Sequence, residues 1–94
     1  MKKTAVQIKF PSQFSKFIFD IDSLEFEGET IEDFIDALEH TFGNIRERLF
    51  DSTGKVRPYI NLYIGNKNIY ALNGLDSVIP NGSAVSLLLS RAGG

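Results

Sequence analysis

The sequence predicts an α+β fold: one mixed sheet of about five strands covered by a single main helix. Three observations carry this. Ile31, Phe34, Ile35, Leu38 and Phe42 fall at i, i+3, i+4, i+7 and i+11, one apolar stripe of a helix facing a core. Alternating apolar and polar residues over 4–10 and 59–64, and a nearly continuous apolar run over 84–90, mark strands before and after that helix. The chain of 94 residues is one small domain's worth, so all of these must share one core.

In order along the chain, Val6, Ile8 and Phe10 alternate with Ala5, Gln7 and Lys9, the period of a half-buried strand, and Pro11 ends it. Ser12 to Ile21 is irregular, with Phe14, Phe17 and Phe19 crowded together, and reads as a loop approaching a second strand in which Leu24 and Phe26 alternate with acids. Gly28 breaks that run. Thr30 then stands where a helix N-cap belongs, with Asp33 three residues on in an approximate capping box. Gly43 supplies the C-terminal stop. His40, the only histidine, lies nine positions after Ile31 and so half a turn round from the stripe's start; it faces solvent and receives no catalytic role. Ile45 and Leu49 at i and i+4 predict a short second helix within 44–51, and Ser52-Thr53-Gly54 a turn.

Ile60, Leu62 and Ile64 alternate with Tyr59, Asn61 and Tyr63, all good strand formers except the asparagine. Gly65-Asn66-Lys67 turns the chain into a further strand over 68–71. Asn73 to Gly82 reads as a loop with one helical turn around Leu75, and Ala84 to Ser90 as a strand covered on one face and paired on both edges. A strand pair, a crossover helix and returning strands amount to the β-grasp, or ubiquitin-like, arrangement.

Composition narrows the function. With no cysteine there is no disulfide, thiolate metal site or cysteine nucleophile in this chain, and the expected setting is the cytoplasm. A formal net charge of −2 and the lack of a basic stripe argue against nucleic acid, and no apolar run is long enough for a membrane span. Nine of the twelve acids lie between positions 20 and 39, which predicts an acidic face, either solvated helix surface or a surface that steers a basic partner. No paired carboxylates, Ser/His/Asp set, phosphate-cradling glycine loop or metal cluster stands out, so the chain is expected not to be an enzyme.

The sequence closes on Ser90-Arg91-Ala92-Gly93-Gly94 directly behind the last strand. With RERLFD at 46–51, RPYINLYIGNKNI at 57–69, Gly74-Leu75-Asp76 and Pro80-Asn81-Gly82-Ser83-Ala84-Val85, this resembles the ThiS/MoaD family of ubiquitin-like sulfur carriers, and within it the carriers of cysteine biosynthesis. Three departures from the family's usual pattern stand out: Asn81-Gly82-Ser83 replaces Asp-Gly-Asp, Gly65-Asn66 replaces Asn-Gly, and Ser90 stands where a proline is usual.

The resemblance implies a carrier cycle in which an E1-like adenylyltransferase uses ATP and magnesium to adenylate the Gly94 carboxylate. A sulfur donor then converts it to a thiocarboxylate for a sulfur-accepting synthase. Gly94 is the reacting residue and Gly93 gives clearance, since glycine without a Cβ can thread a narrow channel. The expected organisation is a β-grasp domain over 1–90 and a flexible tail over 91–94, monomeric when free. Strand parity places Tyr59, Tyr63 and Leu88 on the outer sheet face as a candidate docking patch, with Arg91 and Ala92 completing the partner contact and Arg91 either anchoring the tail by a salt bridge or only solubilising it. A protein modifier conjugated through Gly94 to lysines, and a plain interaction module, are the competing readings.

Overall fold

In the computed structural model, which describes residues 2–15 and 21–90, five strands form one sheet in the order β2-β1-β5-β3-β4. The strands are β1 (Lys3–Lys9), β2 (Ser23–Glu27), β3 (Ile60–Ile64), β4 (Lys67–Asn68) and β5 (Ala84–Leu89). β1 pairs antiparallel with β2 and parallel with β5, while β3 is antiparallel to both β5 and β4. This mixed sheet and its main helix are the β-grasp arrangement that the sequence predicts.

The helix, α2 (Ile31–Phe42), forms where the stripe predicts and is capped as predicted. The Thr30 side chain accepts from the Asp33 N–H at 3.1 Å, while Asp33 Oδ2 accepts from Glu29 N–H at 3.0 Å and Thr30 N–H at 3.2 Å. At the other end Gly43 takes φ +75, and its N–H donates to the Glu39 carbonyl. Ile31, Phe34, Ile35 and Leu38 are buried against the inner sheet face, which is made of Val6, Ile8, Phe26, Ile60, Leu62, Val85 and Leu87. Phe34 lies at the centre of an aromatic group, edge-on to Phe10 at 6.3 Å and to Phe26 at 5.7 Å between ring centroids. His40 is exposed.

Two segments depart from the sequence reading. Within the stretch expected to be a loop, Ser12–Ser15 forms a helical turn, α1. Pro11 both ends β1 and starts this turn, because its carbonyl accepts the Phe14 N–H at 2.9 Å, and the Phe14 ring is buried beside Phe10 at 6.2 Å. Phe17 and Phe19 lie outside the described residues. The strand expected over 68–71 stops at Asn68. There the asparagine side chain accepts the Tyr70 N–H at 2.9 Å and turns the backbone into a 3-10 turn (Ile69–Ala71), which carries Ile69 into the core. The short helix α3 (Arg46–Leu49) and the 3-10 turn at Gly74–Asp76 fall within the expected segments.

The loop before β5 is tied to β1. Asn81 Oδ1 accepts the Ala5 N–H at 2.7 Å, the Gly82 N–H donates to the Ala5 carbonyl at 2.7 Å, and the Gln7 N–H donates to the Ser83 carbonyl at 2.9 Å. An acceptor is all this position needs, so asparagine serves as well as an aspartate would. β5 is thereby delivered into the middle of the sheet and leaves at its far end through Ser90.

Candidate functional site

The sheet face turned away from α2 has two halves. On β1 and β2 it carries Lys3, Gln7, Lys9, Glu25 and Glu27, all exposed. On β5 and β3 it carries Ser86, Leu88, Asn61 and Tyr63, where Tyr63 is opposite Ser86 and Asn61 opposite Leu88. Tyr63 and Leu88 are therefore diagonal neighbours on one face, a spacing within reach of long side chains. Leu88 is 56% exposed and Tyr63 half-buried. Tyr59, exposed just ahead of β3, lines a groove at the sheet's end with Gln13, Phe14, Arg48, Arg57 and Leu89. Of the three residues assigned to the outer face, two thus share its flat and the third stands at its rim. Arg91, Ala92, Gly93 and Gly94 lie outside the described residues.

One contact here has a single sequence signal. Asn61 Nδ2 donates to Ser90 Oγ at 2.7 Å, and the Ser90 N–H donates to the Tyr59 carbonyl at 2.8 Å, continuing the β3–β5 ladder one residue past Leu89. Asparagine is a poor strand former, and its presence in the middle of β3 was the only clue that this position serves something other than the strand.

Four of the nine acids of 20–39, those on α2, hold internal hydrogen-bond or ion-pair partners. Asp33 caps α2. Glu39 receives the N–H groups of Asn44, Ile45 and Arg46, at 3.1, 2.9 and 2.8 Å, and so positions α3. Glu32 and Asp36 both accept from Arg46, whose guanidinium also lies 5.6 Å from the centroid of the Phe50 ring. The N–H donors of Arg46, then of Asn44 and Ile45, hold the Glu39 carboxyl below its ordinary value, and those of Glu29 and Thr30 do the same for Asp33. These four acids, read from sequence as solvated surface or a steering field, also tie the main helix to α3 or cap it, while Asp36 remains exposed. Among the described residues no three His, Cys, Asp or Glu side chains form a group that could hold a metal, and no helix is long and apolar enough to cross a membrane.

No family model matches the chain. A curated relative, the sulfur carrier protein CysO of Mycobacterium bovis, is 34% identical over 74 residues, which is 77% of this chain and 80% of the relative. The chain belongs to the ubiquitin-like sulfur carriers. The structure agrees: the crystal structure of CysO from Mycobacterium tuberculosis superposes with a TM-score of 0.81 at 26% identity, covering 92% of this carrier and 99% of that chain. A CysO from Amycolatopsis orientalis, solved in complex with BexX, superposes at 0.79 with 26% identity over 95% of this carrier and 99% of that chain. The sulfur carrier thus shares its overall fold with these structures.

Proposed function

We propose that the Gly94 carboxylate of this carrier is the group that takes up and delivers sulfur, in cysteine biosynthesis, and that the chain is the substrate of an activating enzyme rather than a catalyst. The observation that supports this is the Gly93-Gly94 pair that follows, a few residues on in sequence, the central strand of a sulfur-carrier fold. A carboxylate is a poor acylating agent. Its oxygen attacks the α-phosphorus of ATP, bound with magnesium in an E1-like adenylyltransferase, and expels pyrophosphate to form an acyl adenylate. A hydrosulfide equivalent from a sulfur donor then attacks the acyl carbon, AMP leaves, and a thiocarboxylate remains for a sulfur-accepting synthase. All of this chemistry belongs to the cytoplasm and to the partners' sites. The carrier's part is to fold, dock and extend its terminus.

Docking falls to the half-apolar part of the outer face, Tyr63 and Leu88, with Tyr59 at its rim, and Arg91 and Ala92, next in sequence after Ser90, are proposed to add to the partner contact. The complex that a related CysO forms with BexX supports a protein partner. Deleting Gly93 and Gly94 is expected to abolish ATP–pyrophosphate exchange by the activating enzyme while thermal unfolding stays unchanged; a truncated chain that still supports exchange would overturn the proposal. Leu88→Asp is expected to raise KM for the carrier by roughly tenfold with kcat kept, as loss of an interface anchor does. In protein isolated from its own host, the C-terminal peptide should carry one sulfur in place of one oxygen. Reductant-resistant conjugates to lysines, found without it, would indicate a protein modifier.

A further inference from the structure

We infer that Asn61 and Tyr59 form a clamp on Ser90 that fixes where the reactive tail begins, and that Asn61 and Ser90 are positioning residues for the reaction at Gly94. This rests on the reading that Gly94 is the reacting residue. Ser90 is the first residue beyond β5, yet it is held twice, by its N–H on the Tyr59 carbonyl and by its hydroxyl, which accepts from Asn61 Nδ2. Strand parity puts Ser90 on the outer face with Asn61 and Leu88, so the clamp adjoins the proposed docking patch. An enzyme seated on that patch meets the tail's root at a fixed place.

The consequence is a ruler. With Ser90 pinned, four residues separate the sheet from the terminus, a reach of at most ~14 Å at about 3.5 Å per residue. Freed back to Leu88, the tail is six residues long, and the effective concentration of its end at a fixed point falls about twofold on the −3/2 power of length alone. The loss belongs to the chemical step within the docked complex, so it lowers kcat, whereas loss of a docking contact raises KM.

The test uses the full chain. Amide exchange of free carrier, followed by NMR, should show the Ser90 N–H protected in the wild type. It should exchange about threefold or more faster in Asn61→Ala, the factor that loss of one modest hydrogen bond brings. Asn61→Ala and Ser90→Ala should each lower kcat for adenylation, and the double variant should lose no more than the larger single loss, because one bond is being removed from either end. Ser90→Pro, which removes both bonds, should lose about twofold or more of kcat at unchanged KM, while Ser90→Thr, which keeps N–H and hydroxyl, should retain wild-type kcat. A Ser90 N–H exchanging as in a free chain, an unchanged kcat in Ser90→Pro, or a loss confined to KM would each overturn the clamp. Failure of the wild type to be adenylated would instead sink the reading of Gly94, and amide exchange would still decide whether Ser90 is pinned.

Discussion

Gly28 and Glu39 do different work at the two ends of the same helix. Gly28 has φ +123, and a Cβ there would lie 2.5 Å from the Asp33 Cβ, so a side chain would push apart the capping box that starts α2. Gly28→Ala is expected to cost about 2 kcal/mol, through the clash and the strained φ together, read as a fall in the urea midpoint. Glu39→Ala removes the acceptor for three backbone N–H groups and should cost about 2 kcal/mol, nearer the upper end for a single cap. Asp33 and Glu39 also set a pH dependence. Both carboxyls are lowered in the folded state, from ordinary values of 3.8 and 4.5, so their stabilisation is fully present above those values and is lost as the pH falls through the folded ones. Urea midpoints between pH 7 and pH 3 should therefore fall in the wild type and fall less in Glu39→Gln; equal falls would show that the N–H groups around Glu39 are not what lowers it.

At the scale of elements, α2 is stabilised mainly by the sheet beneath it, and Phe34 is its largest buried side chain. Phe34→Ala should cost about 3–5 kcal/mol, whereas His40→Ala on the exposed side should stay within about 0.5 kcal/mol. The same periodicity that makes this prediction made α2 readable from sequence, as did the alternation of β1 and β3, since one-sided burial writes itself into every third or second residue. Short elements carry no such period. The turn at Ser12–Ser15 depends on the Pro11 carbonyl and a pocket for Phe14, and β4 ends because the Asn68 side chain captures a backbone N–H; both are settled by neighbours, not by pattern. The candidate site divides in the same way. Strand parity brought Tyr63 and Leu88 to one face, but it could not distinguish Tyr59 at the rim, nor pair Asn61 with a residue 29 positions away. The acids of α2 were visible as a cluster, while their partners Arg46 and the N–H groups of α3 depend on how the chain turns after Gly43.

For the molecule as a whole, β5 is the strand on which the sheet depends. Without it β1 would keep only β2 and β3 only the two residues of β4, pairs too small to be stable in water. A chain ending at Ser83 is expected to show no cooperative unfolding transition, against a single sharp one for the full chain, as followed by circular dichroism. Joining residues 3–9 to residues 84–89 is also the longest-range pairing in the sheet, which places the costliest loop closure at its centre.

That placement ties the proposed docking to folding. The proposed docking patch exists only when β5 lies against β3, and the root of the tail is held only when Ser90 reaches Tyr59 and Asn61. A partly folded chain carries the same last four residues but neither feature. A partner that reads face and root together would therefore inspect its cargo before spending ATP on it, and misfolded carriers would be passed over without any separate proofreading device.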